Sequence, residues 1–140
     1  MSFSEAVVTV LKRKYAKFSG RARRSEYWWF CLASILINAV ATIVLALGLV
    51  AGQEFPAAIV VAGIIYAVVY FGLILPSLAV AVRRLHDIGR TGWWMLLSLV
   101  PFGALVLIVF AVLEGEQGTN KWGPNPKNAD PAYGQPDFVQ

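Results

Sequence analysis

Three stretches of the chain, residues 28–50, 55–82 and 93–113, contain no Asp, Glu, Lys or Arg. A hydrocarbon core about 30 Å thick is crossed by roughly 20 apolar residues of helix, and each stretch reaches that length. The pattern predicts an all-α membrane protein with three transmembrane helices. Ahead of them, Ser2 and Glu5 have the S-x-x-E spacing of a capping box. Phe3, Val7, Val10, Leu11 and Phe18 then recur at helical spacing, Lys12, Arg13 and Lys17 fall mostly elsewhere on the wheel, and Gly20 stands where a C-terminal cap would. Residues 1–20 therefore read as an amphipathic helix, lying in the headgroup layer or against the protein's own cytoplasmic ends. Residues 21–113 make a three-span membrane domain. Residues 114–140 form a polar tail rich in Gly and Pro, whose last dozen residues lack periodicity and are expected to be disordered.

Polar and conformationally special residues interrupt each run. In the first, Ser34, Asn38 and Thr42 follow one another at i, i+4, i+8 and form one stripe. Lipid offers such groups no partner, so the stripe is expected to face neighbouring helices. Gly48 and Gly52 make a G-x-x-x-G pair at the end of the run, a pattern found at helix-dimer faces. In the second, Pro56 suits a helix start, Pro76 should kink the helix or end its membrane portion, and Gly63, Tyr66 and Tyr70 share a face. The third opens on Trp93 and Trp94, rings suited to the headgroup level, and is broken in its middle by Pro101 and Gly103. A re-entrant hairpin would leave only about ten residues per leg, so a kinked single crossing is the expectation.

Charge gives these runs a direction. Seven of the twelve basic residues precede the first run and three, Arg83, Arg84 and Arg90, separate the second from the third. The turn at residues 51–54 has none. The positive-inside rule then puts the N-terminus and the loop after Arg83 in the cytoplasm, and three crossings put the C-terminus in the periplasm. The composition, 58% hydrophobic and 14% charged, leaves too little polar surface to cover a soluble globule. A basic balance in a soluble protein would suggest nucleic acid; beside hydrophobic spans it points to anionic phospholipid. The single cysteine, Cys31, lies inside the first run and excludes an intrachain disulfide. The first run is too long for the apolar core of a signal peptide and reads as a retained anchor.

Three segments carry a recognisable pattern: Phe18-Ser-Gly-Arg-Ala-Arg-Arg-Ser-Glu-Tyr-Trp28, then Arg83-Arg-Leu-His-Asp87 with Gly92-Trp-Trp94, then Gly118-Thr-Asn-Lys-Trp-Gly-Pro-Asn-Pro126. In this order, framing three hydrophobic runs, they resemble the YhaH-like bacterial inner-membrane proteins catalogued as domain of unknown function 805. The resemblance covers residues 10 to 127. It implies an integral inner-membrane protein whose biochemical role is not established, and it supplies no catalytic residues.

The residues themselves offer one charged junction. Glu26 precedes the first run and Asp87 follows the second, each among arginines. If the helix ends are neighbours, Glu26 can pair with Arg83 or Arg84, and Asp87 with Arg21, Arg23 or Arg24. This structural latch is the leading reading. The alternative is that surplus arginines bind a phosphate, with His86 as a titratable group. No catalytic residue, cofactor or metal site is assigned: the carboxylates are too few to hold a catalytic metal, and His86 has no second histidine. In the tail, Gly118, Asn120, Trp122, Gly123, Pro124 and Pro126 predict an ordered turn with Trp122 at the headgroup boundary, on the side of the membrane opposite the arginines. The expected role is a structural or interaction component of the inner membrane, contacting anionic lipid and either partner membrane proteins or further copies of itself. A subunit of a small oligomeric transporter or channel is the second hypothesis, weakened by the lack of a carboxylate inside the spans. A headgroup-modifying or phosphate-handling enzyme is the third.

Overall fold

The computed structural model describes residues 1–128, and the regular elements among them are all helices, without β-strands. The expected disorder of the last dozen residues lies outside the described residues. Helix α1 (Phe3–Val8) opens on the capping box: the Glu5 amide donates to Ser2 Oγ, and the Ser2 amide to Glu5 Oε2 at 2.7 Å. It continues as a wider π turn, Thr9–Arg13, and ends there. The helix is thus shorter than expected, and Gly20, with φ +87°, serves a later turn rather than capping it. Its apolar side, with Ala6 and Val10 fully buried, packs on the long helices, where Val10 meets Ala22, Phe30, Leu73 and Val80.

Helices α2 (Arg24–Ala51) and α3 (Ala57–Asp87) are the two long enough and apolar enough to cross a membrane, at about 42 and 46 Å. They pack antiparallel along a seam of small residues. A Cβ on Gly48 would stand 2.2 Å from the Ala62 Cβ, so the glycine lets the two backbones close together. The G-x-x-x-G pair therefore serves packing within the chain. Pro76 is buried inside a continuous α3. The Ser34–Asn38–Thr42 stripe does not bond across to α3. Each side chain turns back on its own helix instead: Ser34 Oγ donates to the Phe30 carbonyl, Asn38 Nδ2 to that of Ser34 and Thr42 Oγ1 to that of Asn38, all at 2.8 Å.

The third hydrophobic run does not form a third helix of spanning length. It folds as a 3-10 helix, Gly92–Leu99, and a short helix α4, Gly103–Val112, with Phe102 between them in the left-handed region at φ +62°. Pro101 stops the first leg, and Gly103 lets the second close upon it: a Cβ there would lie 1.7 Å from the Leu97 carbonyl oxygen. Each leg is about 15 Å long, half a hydrocarbon core. Both ends of this hairpin meet the C-terminal end of α3. Gly92 lies against Val82, while Arg84 Nε donates to the Ala111 carbonyl at 3.1 Å. Eight residues in the first leg and ten in the second are too few to cross.

Candidate functional site: a buried arginine junction

The N-terminus of α2 and the C-terminus of α3 lie side by side, tied by the Ala22 amide donating to the Arg83 carbonyl at 2.9 Å. Between them Arg21, Arg23, Glu26, Arg83, Arg84, His86 and Asp87 are all buried. Charged side chains rarely leave water unless paired, and here the pairs are explicit. Arg83 Nη1 donates to Glu26 Oε1. Arg21 Nε donates to Asp87 Oδ1 at 2.9 Å, and Arg84 Nη1 takes the other oxygen of the same carboxylate. Glu26 with Arg83 and Asp87 with Arg21 are two of the pairings the sequence allows; the sharing of Asp87 with Arg84, one turn before it on α3, is additional. Arg24 stands apart, exposed, with Glu114 at 3.5 Å.

Two carboxylates do not satisfy four buried guanidinium groups. For Arg21 and Arg84 further acceptors come from the hairpin's return leg and the tail. Arg21 donates to the carbonyls of Gly118 at 2.6 Å and Glu116 at 2.5 Å, and Arg84 to those of Ala111 and Leu113. The Glu116 amide donates to the Asp87 carbonyl at 2.8 Å. Gly115 packs so tightly on Asp87 that a Cβ would lie 2.1 Å from its Oδ2. Trp122 stacks on His86 with ring centroids 4.5 Å apart and planes 9° from parallel; His86 Nδ1 reaches the Gly20 carbonyl at 3.0 Å. Asn120 Nδ2 donates to the His86 carbonyl at 2.9 Å, while its Oδ1 accepts from the Trp122 amide. The ordered turn expected around Gly118, Asn120, Trp122 and Gly123 is present, with Pro124 and Pro126 bracketing the buried Asn125, whose Nδ2 donates to the Gln117 carbonyl. Its location is the correction: the turn closes over the arginines instead of lying at the far end of the helices. Trp122 rests on His86.

Sequence reasoning missed these acceptors because a backbone carbonyl leaves no mark in a sequence. One signal was available, namely the excess of arginine over carboxylate. Lys14, expected with Lys12, Arg13 and Lys17 to meet lipid as an unpaired cation, lies near the junction instead of standing clear of it. Half-buried between turn and helices, it has its pKa lowered from 10.5, chiefly by desolvation; Glu26 opposes the shift and Arg83 adds to it. At the rim, Lys127 donates to Glu114 Oε1 at 2.9 Å and holds that exposed carboxyl below its ordinary value.

A cavity of about 50 Å³ remains beneath the hairpin, between Tyr27 of α2, Ala81 and Arg84 of α3, and Met95, Leu107 and Ala111. It is room for a water or two. Among the described residues no three His, Cys, Asp or Glu side chains gather as metal ligands would.

Two apolar helices long enough to cross a membrane, a half-length apolar hairpin and a buried ionic junction at one end make up a small all-helical protein. Residues 15–124 match the family described as "Protein of unknown function (DUF805)", and the chain belongs to that family. It is 45% identical to the inner membrane protein YhaI of Escherichia coli K12 over 121 residues, 86% of this chain and 93% of the relative. It is 44% identical to the inner membrane protein YhaH of the same strain over 117 residues, 82% and 91% of the two chains. No solved structure matches it.

Proposed function

We propose that this chain is a two-crossing component of a bacterial inner membrane whose work is contact, with anionic phospholipid at its basic end and with partner membrane proteins along its helices. The observation that carries this reading is the closure of the junction: its ion pairs are made within the chain, and the cavity beside it is too small for a substrate. Chemistry would need an open site with groups held in reserve. The surfaces left over suit contact. Lys12, Arg13 and Lys17 are exposed beside Tyr15 and Phe18, a basic and aromatic fringe suited to headgroups.

With the tail folded back on the junction, both ends of the described chain lie on one side of the long helices. All twelve basic residues then belong to that side, and the turn between α2 and α3 carries only Glu54. Such an asymmetry supports a cytoplasmic junction and a cytoplasmic C-terminus. A topology reporter after Gln140 is expected to read cytoplasmic, and one between Gly52 and Glu54 periplasmic. A periplasmic reading at Gln140 would restore three crossings. For lipid contact, replacing Lys12, Arg13 and Lys17 together by Gln should lower the anionic phospholipid that copurifies in mild detergent about twofold or more, since each exposed basic residue near an anionic leaflet contributes about 1 kcal/mol. Unchanged lipid retention would remove phospholipid from the proposal.

A further inference from the structure

The hairpin covers only half of the flank on which it sits. Midway along its legs, Met95 and Leu107 line one cavity with Tyr27 and Ala81 at the junction end of the long helices. Asn38 is eleven residues beyond Tyr27 and Tyr70 eleven before Ala81, so both continue that flank three helical turns, about 16 Å, further along. The legs, each about 15 Å long, end before that level. What they leave uncovered is unusually polar for the middle of two apolar helices. Asn38 sits at the midpoint of α2 and spends one N–H on the Ser34 carbonyl. Its Oδ1 and the hydroxyls of Tyr66 and Tyr70, whose rings stack at 6.1 Å, have no hydrogen-bond partner among the described residues. Gly63, on the same flank, would accept a Cβ without meeting any atom within 4 Å.

The hairpin apex makes a second, independent demand. Residues 100–102 leave helical geometry, and Phe102 is 82% exposed there. Irregular backbone at mid-bilayer depth is tolerated only where protein or a water-lined cavity covers it. By these lengths the apex lies along the same flank, short of the amide.

We infer that a second copy of this chain occupies the uncovered half of the flank, packed about a two-fold axis parallel to α2 and α3, with Asn38, Tyr66 and Tyr70 of each copy facing the other and both hairpin apices enclosed. The inference rests on the proposed contact role and names its partner. An amide is donor and acceptor at once, so a two-fold axis sets each Asn38 opposite a group that complements it. The tyrosine hydroxyls are self-complementary in the same way. Lipid chains offer neither donor nor acceptor, and Gly63 gives a neighbouring backbone room to approach.

Photocrosslinking in native membranes tests this. A photoreactive residue is placed at the exposed Thr42, on the flank, or at Val40, 200° round the helix, in the full-length chain. Thr42 is expected to give an adduct of twice the chain mass, and Val40 at least about fivefold less. Asn38→Leu should lower the Thr42 adduct about tenfold, the loss of two reciprocal interhelical hydrogen bonds, and Ser34→Ala, whose hydroxyl is already satisfied within α2, should leave it unchanged. Undiminished dimer adduct in Asn38→Leu overturns the seat. Thr42 adducts only to proteins of other masses overturn the second copy and leave the contact role standing. Lipid adducts alone, from both positions, overturn both.

Discussion

Glu26→Gln is expected to lower the melting temperature in detergent by roughly 10 °C, the effect of losing about 3 kcal/mol in a chain of this size. The reason lies in its partner. Arg83 is 0% exposed, and its Nε and Nη2 have no hydrogen-bond partner among the described residues, so the Glu26 carboxylate is its one ionic counterpart. Removing that charge leaves a guanidinium in a site where water does not reach. Breaking one side of a buried pair costs far more than the pair's net contribution, because the remaining charge keeps its desolvation penalty. Arg83→Met combined with Glu26→Gln should therefore be more stable than additivity allows, by about 1 kcal/mol or more. Additive losses, or an unchanged melting temperature in Glu26→Gln, would show that the two groups do not depend on each other.

Asp87→Asn should act more widely. This carboxylate is shared by Arg21 and Arg84, and those arginines in turn hold the carbonyls of Ala111, Leu113, Glu116 and Gly118. An Asn side chain turns one acceptor oxygen into an N–H donor pointed at a guanidinium, so one ion pair becomes a repulsion and the other a weaker neutral bond. Both stability and anchoring of the tail should fall. In detergent, trypsin is expected to cut after Lys121 at least about tenfold faster than in the unaltered chain, because local opening of the tail would need about 1.4 kcal/mol less. His86→Ala, which loses the Trp122 stack but no ion pair, should cost about 1 kcal/mol and open the tail less. Equal proteolysis of Asp87→Asn and the unaltered chain would mean that the tail is held by its own turn rather than by the junction.

The two ion pairs were legible because Glu26 and Asp87 lie at the ends of two apolar runs joined by a short turn, so antiparallel packing had to bring them among the arginines. The tail's place was not legible, since its contacts run through carbonyls that any sequence possesses. The third run was misjudged for a related reason. Counting apolar residues measures whether a segment tolerates hydrocarbon, and residues 93–113 do; it does not measure whether the backbone stays helical. Pro101 and Gly103 were visible as a break, but a kink and a reversal need the same residues.

By itself the sequence determined what long apolar, charge-free runs and their flanks always determine: an all-helical chain, apolar runs of spanning length, and a basic end. These follow from local composition, since burial of an apolar run and the cost of an uncompensated charge in lipid depend on no particular neighbour. Only the tertiary structure decided the rest. Gly103 closing on Leu97 folded the third run into a hairpin, and Arg84 and Arg21, short of carboxylates, gathered the hairpin's end and the tail to one side. Those choices rest on close approaches between residues far apart in the chain, in which one backbone supplies what another lacks.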